Sequence, residues 1–280
     1  MEMSMEEAKA IIKGGLGKAE LEFATSITAP LYWVIREDDK QYKVKNGSAF
    51  FLDAGVGPFG VTACHVVNGW RKARKNGGVI AVQLGCDLLL DFEGKNQLID
   101  EHDKIDIATF QITASEISSI NKVILTGSQK EWPPRPPEER KGIYFSGFPG
   151  VETILSSPSS VEFGAVSLSG VANSVSELDV SSLTERQDLI DVMGNGFPLE
   201  NFDFRGISGG PMLTVIENPR TLLRSWSLAG VIYEGPNPPG DGAQAISDLE
   251  IIRARRAHFI LPDGKLDIPR WNGLNLASST

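Results

Sequence analysis

From Thr25 onward the chain is a succession of short apolar or alternating runs: LYWVI, SAFFLD, FGVTA, GVIAVQL, DIATFQI, GIYFSGF, VEFGAVSL, GPMLTVI and SLAGVIY. Gly, Pro, Asn and Asp punctuate them. Many short strands broken by frequent turn signals point to an all-β sandwich or barrel. One segment divides the series. Residues 131–140 read EWPPRPPEER, and its prolines can continue neither a helix nor a central strand. Such a stretch serves either as a semi-rigid linker or as a polyproline ligand for an aromatic groove. The linker reading leaves two β units of comparable size on either side.

The expected organisation is a helical extension over 1–25, a first β unit over 26–130, the Pro-rich linker over 131–140, a second β unit over 141–260 and a tail over 261–280. Residues 5–13 (MEEAKAIIK) read as a short helix. Residues 174–191 are polar with partly helical spacing, which suggests a surface insertion. Residues 246–259 (ISDLEIIRARRAHF) have helical spacing and are expected to close the second unit. The Pro/Gly/Asn-rich tail is expected to drape over the surface or fray. A chain of 280 residues accommodates either one double-barrel unit with extensions or two ordinary domains.

Charge and cysteine content narrow the function classes. The net charge of -9 argues against a general nucleic-acid binder, because phosphate contacts need Lys and Arg. The basic run at 70–75 (WRKARK) reads instead as the exposed face of a short helix. Only Cys64 and Cys86 are present, fewer than a disulfide-stapled secreted domain carries, so free thiols are expected over a single bridge. The N-terminal stretch is acidic, with an apolar run too short for a secretory segment. No stretch approaches the roughly 20 apolar residues of a membrane span. A cytoplasmic protein with no membrane partner is expected. There is no CxxC pair and no HExxH, so no metal and no other cofactor is expected. GGLGKAE near the N-terminus fails as a phosphate-binding loop, since Ala19 follows the lysine.

Three segments each set one reactive side chain in an apolar or glycine-rich background: residues 60–67 (GVTACHVV), residues 105–108 (IDIA) and residues 206–211 (GISGGP). A serine hydroxyl such as that of Ser208 is a poor nucleophile until a base takes its proton and donors meet the developing oxyanion. Gly206 has no side chain to block such a donor, and Gly209 and Gly210 let another backbone approach. Of the three histidines, His102 lies in a charged run (EHDK) that reads as a solvated loop. His258 falls where an Arg-rich helix would end. His65, between VTAC and VV, sits at the inner end of an apolar strand. Asp106 lies between two isoleucines, where a carboxylate is costly unless paired or hydrogen-bonded. Asp103 is the weaker candidate. Each residue alone has a structural reading; the order His65, Asp106, Ser208, with the Pro-rich segment before the last, is what makes the set specific.

With these residues in hand, the chain resembles the chymotrypsin-like (trypsin fold) serine peptidases, of the stand-alone bacterial type. The family's T-A-x-H is matched by Thr62, Ala63, Cys64 and His65, its D-I/V-A by Asp106, Ile107 and Ala108, and its G-x-S-G-G-P by residues 206–211. GSAFFLD before the histidine, GFP at 147–149 and GVI at 230–232 resemble further family strands. The resemblance spans roughly residues 26–259. It implies two six-stranded antiparallel β-barrels with short N- and C-terminal helices. It also implies His65 as general base, Asp106 as its orienting partner and Ser208 as nucleophile. The backbone N–H groups of Gly206 and Ser208 would form the oxyanion hole. Phe202 would lie at the base of the primary specificity pocket, and Tyr233 and Glu234 near the strand that pairs with a polypeptide substrate. Asp203, Glu234 or Asp241 would supply a negative charge there if directed inward. Two departures stand out. Ile207 occupies a position where digestive members carry Asp and bacterial members Asn, so a zymogen-type salt bridge lacks its acceptor. The cysteine that secreted members carry just after the histidine is absent: Val66 stands there, and Cys64 precedes His65. The function expected is a serine endopeptidase. The alternatives are a catalytically silent peptide-binding module, and an effector protease held inactive until a regulatory protein partner or signal triggers it.

Overall fold

The computed structural model of the chain describes all residues except 1–9, 11, 39–40, 78, 128–130, 158–159, 186–189, 193, 195, 197–201, 218–223, 236–248 and 278–280. A π-helical turn, Ile12–Leu16, leads into the helix Gly17–Ser26. Strands β1 (Thr28–Asp38) and β2 (Gln41–Asp53) form a long antiparallel hairpin, and β3 (Phe59–Thr62) follows. After the helix Cys64–Lys75 come β4 (Val79–Leu84), β5 (Leu88–Leu90), β6 (Leu98–His102) and β7 (Ile107–Gln111). The helix Ala114–Ser119 and β8 (Leu125–Thr126) complete the first unit. Its strands make one curled sheet in the order β5-β4-β1-β2-β3-β7-β6, with β8 parallel beside β2.

The second unit contains β9 (Gly142–Gly147), β10 (Thr153–Ser157), β11 (Ser160–Phe163), β12 (Val166–Val175), β13 (Asp179–Glu185), β14 (Pro211–Glu217), β15 (Arg224–Glu234) and β16 (Leu249–Arg256). Six of these close into a barrel in the order β12-β13-β16-β15-β14-β9, while β10 and β11 form a separate hairpin. The protein is mostly β, as expected. Of the two six-stranded barrels implied by the resemblance, one is closed; the first unit carries a curled eight-stranded sheet.

Strand β2 shows why these runs assemble as they do. Side chains alternate across a strand. Ala49 and Phe51 enter a cluster with Trp33, Trp70, Phe92 and Phe110. Phe50 and Leu52 face the other way, onto Phe59, Val61 and Ile107 together with Leu213, Leu228 and Val231 of the second unit. A strand buried on both faces reads as the near-continuous apolar run SAFFLD. Its second face is the seam between sheet and barrel. Each fully buried Phe or Leu there stabilises the fold by about 1.5–3 kcal/mol. A third cluster, including Ile143, Phe145, Met212, Ile232 and Ile252, fills the barrel.

Three local expectations are corrected, and a fourth falls largely outside the described residues. Residues 249–256 are strand β16, not a closing helix: Ile252 and Ala254 point into the barrel while Ile251 and Arg253 are exposed. Pairing with β13 and β15 on both sides outweighs the helix preference of Leu, Ala, Arg and Glu. The polar stretch at 174–191 holds β13, a barrel wall strand rather than a surface insertion, with Val180 and Ser182 inside. The tail does not fray throughout. The helix Ile268–Ala277 docks through Trp271, which stacks edge-on against Phe259. The helix read over 5–13 lies largely outside the described residues; the described helix is Gly17–Ser26, pinned by Phe23 stacking on Trp226 at 4.2 Å. The Pro-rich segment is anchored by Trp132, whose Nε1 donates to Ile260 O at 2.6 Å.

Candidate active site

The register of β3 and β7 brings the first two candidates together. Thr62 pairs with Ala108 in an antiparallel ladder, so the chain leaves β3 at the end where it enters β7. His65, three residues beyond Thr62, and Asp106, two before Ala108, therefore emerge side by side. His65 is the second residue of the helix Cys64–Lys75, not a strand residue. Its Nδ1 lies 2.7 Å from Asp106 Oδ2, and its backbone N–H donates to Asp106 Oδ1 at 2.9 Å. Both carboxylate oxygens are thus engaged by one residue, in the first turn of a helix, where a negative charge is favoured. Asp106 adopts a left-handed conformation (φ 60) in the turn before β7, where its N–H donates to His102 O at 2.8 Å. Asp is one of the few side chains that tolerates that region. The His65 side chain is 49% exposed and that of Asp106 17%, so the pair opens to solvent on the histidine side.

Asp103 is occupied elsewhere. It accepts from Asn68 Nδ2 at 2.8 Å and from Cys64 Sγ at 3.3 Å, and these hydrogen bonds hold its carboxyl below the usual range. Burial, reinforced by Asp103, pushes the Cys64 thiol up to about 12. Both Cys64 and Cys86 are free.

Ser208 reaches the same strand end from the barrel side. Ser48 of β2, one residue before the Ala49–Thr62 pair, donates its backbone N–H to Ser208 O at 2.8 Å. A Cβ on Gly209 would stand 2.0 Å from Ser48 O and 2.9 Å from Ala63 N, so only glycine permits this approach to the segment leading into His65. Gly209 N–H donates to Ile232 O at 2.7 Å and Ile232 N–H to Gly210 O at 2.9 Å, tying the loop to β15. The Ser208 hydroxyl donates to Tyr233 O at 3.5 Å. Among the described residues it makes no hydrogen bond with His65. The structure therefore joins His65 to Asp106 directly, and brings Ser208 to the same place by its backbone with the hydroxyl turned to Tyr233.

Along the loop, the N–H groups of Ile207, Gly209 and Gly210 donate to Phe204 O, Ile232 O and Ile207 O. Among the described residues, those of Gly206 and Ser208 have no hydrogen-bond partner. They leave two backbone donors, two residues apart, beside the serine. Gly206 sits at φ 110, which L side chains rarely adopt.

The remaining predicted positions separate. Phe202 is half-buried and packs edge-on against Phe204 at 4.9 Å. Ile207 is buried in the barrel cluster, with Gly147 and Gly235 packed against its side chain. An ionised residue would be stranded there. Glu234 pairs with Arg253 at 3.2 Å, and Asp203 is held by Arg205 through both oxygens, so neither carboxylate stands unpaired. Arg205 keeps the Asp203 carboxyl below its ordinary value. Asp241 lies outside the described residues. The Tyr233 ring stacks under the Arg255 guanidinium at 4.8 Å, and burial beside Asp179 raises its hydroxyl. His102 is no solvated loop residue: it ends β6, and its Nδ1 accepts from Ile105 N at 3.1 Å. His258 lies not on a helix end but in a buried turn after β16.

Two contributors went unread in the sequence as site residues: Asn46 and Ser48, which flank Gly47 at the start of the SAFFLD run. A polar Asn-Gly-Ser leading straight into a doubly buried strand is the signal that marks them.

No family model matches the chain, and no curated protein matches it. One similar solved structure is described as "Aromatic interactions drive the coupled folding and binding of the intrinsically disordered Sesbania mosaic virus VPg protein". It is 13% identical, covers 84% of this chain and 87% of that chain, and has a TM-score of 0.43. A likeness that weak shows neither a shared fold nor a shared function.

Proposed function

We propose that the protein is a serine endopeptidase of the chymotrypsin-like class, with Ser208 as nucleophile, His65 as general base and Asp106 as the residue that orients His65. The observation that carries this reading is the His65–Asp106 pair, 2.7 Å apart, at the strand end where Ser48 also binds the backbone of Ser208. A carboxylate is acceptor-only, so Asp106 keeps the proton on Nδ1 and leaves Nε2 as a base. The Ser208 hydroxyl turns from Tyr233 O towards Nε2 as substrate enters; catalytic hydrogen bonds commonly tighten only in the complex. His65 takes the Ser208 proton as Oγ attacks the peptide carbonyl. The oxyanion is met by the N–H groups of Gly206 and Ser208. His65 then gives its proton to the leaving amine, and water, activated by His65, releases the acyl group from Ser208.

The finer architecture belongs to this proposal: the curled sheet stands for the first barrel of a double-barrel protease and the closed barrel for the second. So does a cytoplasmic location. Among the described residues, no helix is long and apolar enough to cross a membrane. The partner is a polypeptide, with no cofactor.

A second reading, an effector protease awaiting a trigger, is favoured by one observation, the Ser208 hydroxyl resting on Tyr233 O. One experiment addresses both. The purified chain is treated with a fluorophosphonate probe beside Ser208→Ala. Rapid labelling of wild type alone supports the endopeptidase. Labelling that appears only on adding cell extract supports the triggered form. Equal labelling of the two proteins removes Ser208 as nucleophile.

A further inference from the structure

We infer that Asn46 and Ser48 are positioning residues that latch the Gly206 peptides, so that the Gly206 N–H stays turned out as an oxyanion donor. The inference rests on the proposed triad. Gly206 is the hinge of the loop: a glycine at φ 110 rotates freely unless something outside it fixes the flanking peptide planes. The Ile207 side chain, 3% exposed within the barrel cluster, supplies no polar anchor, and its backbone N–H donates to Phe204 O at 3.1 Å within the loop itself. The anchors come from two other segments.

The peptide between Arg205 and Gly206 is held by its carbonyl, which accepts from Gly150 N at 2.7 Å. In a trans peptide the N–H points opposite to the C=O, so this bond directs the Gly206 N–H away from Gly150. The next peptide is held by Gly206 O, which accepts from Ser48 Oγ at 2.8 Å. The same Ser48 oxygen accepts from Phe148 N at 2.9 Å, and Asn46 Nδ2 donates to Phe148 O at 2.6 Å. Ser48 itself is fully buried. It also donates its N–H to Ser208 O at 2.8 Å and accepts from Thr62 Oγ1 at 2.7 Å. Strand β2 thus grips the 148–150 turn through Asn46 and Ser48, and that turn grips Arg205 O. Removing either side chain frees the turn, and with it the peptide that carries the Gly206 N–H.

The test uses Ser48→Ala and Asn46→Asp, which remove one hydroxyl and one donor. The rate constant for fluorophosphonate inactivation at saturation falls about 10- to 100-fold in each, short of the ~100- to 1,000-fold that follows deletion of an oxyanion donor outright. The half-saturating probe concentration stays within about twofold, because the latch acts on the tetrahedral species and not on initial binding. Hydrogen exchange at the Gly150 and Phe148 amides accelerates in both variants. Should Ser48→Ala fail to fold, Asn46→Asp, at a half-buried side chain, carries the test alone. Folded variants that inactivate within twofold of wild type, with both amides still protected, overturn the latch. If Ser208→Ala labels like wild type, the triad falls instead. The latch is then judged on exchange alone: faster exchange in the variants upholds it, unchanged exchange refutes it.

Discussion

Asp106→Asn isolates the orienting role, because the structure dictates how the new amide must sit. The aspartate receives two donors, the His65 backbone N–H at 2.9 Å and Nδ1 at 2.7 Å. The backbone N–H is an obligatory donor and cannot change. It claims the single amide oxygen of asparagine, which turns the NH2 group towards Nδ1. A donor facing Nδ1 stabilises the tautomer with the proton on Nε2, the nitrogen that in the proposed mechanism accepts from Ser208. The variant keeps its shape and loses its base. Loss of the right tautomer in a serine triad costs about 10,000-fold, or about 5.5 kcal/mol at 1.36 kcal/mol per decade. Folding suffers far less: one charge-assisted hydrogen bond at a partly exposed site is worth about 1.5–3 kcal/mol. Second-order rate constants for fluorophosphonate labelling, measured on wild type, Asp106→Asn and Ser208→Ala with thermal unfolding in parallel, check both halves. A folded Asp106→Asn that labels within tenfold of wild type refutes the assignment of Asp106.

Two further outcomes follow from groups outside the proposed chemistry. His258 is buried with Nε2 unpartnered, and burial, then Arg256 and Arg270, lowers its pKa to about 4. The unfolded chain therefore binds a proton that the folded one refuses. The stabilisation from the neutral ring is complete above about pH 6.5 and is lost as pH falls towards 4, at up to about 1.4 kcal/mol per unit. Urea midpoints from pH 7 to 4 should fall less steeply for His258→Gln than for wild type, and parallel curves would contradict it. Cys64, pushed up to about 12 by burial, stays a thiol at pH 8, whereas Cys86 is exposed. Titration with an aromatic disulfide reagent should find one reactive thiol in the native protein, a second on unfolding, and one native-state thiol lost in Cys86→Ser. Two fast thiols in the native state would count against the packing around Asp103.

The parts of this molecule that could be read from its sequence are those where local pattern and tertiary environment agree. GVTACHVV and IDIA singled out His65 and Asp106, which the structure joins, because each couples a polar group to a background with no other use for it. SAFFLD read as strand because both its faces are buried. Reading failed where a local preference was overruled. ISDLEIIRARRAHF is rich in helix formers, yet the closing barrel recruits residues 249–256 as a strand with Ile252 and Ala254 inside. The period of two is masked because Arg255 and Arg256, on opposite faces of the strand, are both buried yet look like solvated charges. The polar stretch at 174–191 hid β13 for a related reason: its inward side chains include small Ser182, so the alternation carries little hydrophobic contrast. Specificity was least legible. Of the acidic residues offered for a pocket, Asp203 and Glu234 are partnered by arginines, one two residues away and one across a strand, and sequence alone does not reveal such pairing.

Arg255 shows what the strand achieves that a helix at the same place would not. In β16 its side chain lies on the face opposite Ala254, outside the barrel, and reaches across the seam. Nε donates to Ile105 O at 2.8 Å, one residue before Asp106, while Nη1 meets Asp179 of β13 at 2.6 Å. The guanidinium lies between the rings of Tyr233 and Trp271, 4.8 Å from each. Tyr233 is the residue whose carbonyl receives the Ser208 hydroxyl. One buried cation therefore touches the residue before Asp106 in the sheet, the residue behind Ser208 in the barrel, and the docked C-terminal helix. A planar guanidinium can serve all these contacts at once; an ammonium has neither the fork nor the faces. A group so placed does no chemistry of its own. It ties together the two units across which His65 and Ser208 would meet in the proposed mechanism, and that spacing is what a site divided between a sheet and a barrel would most need held.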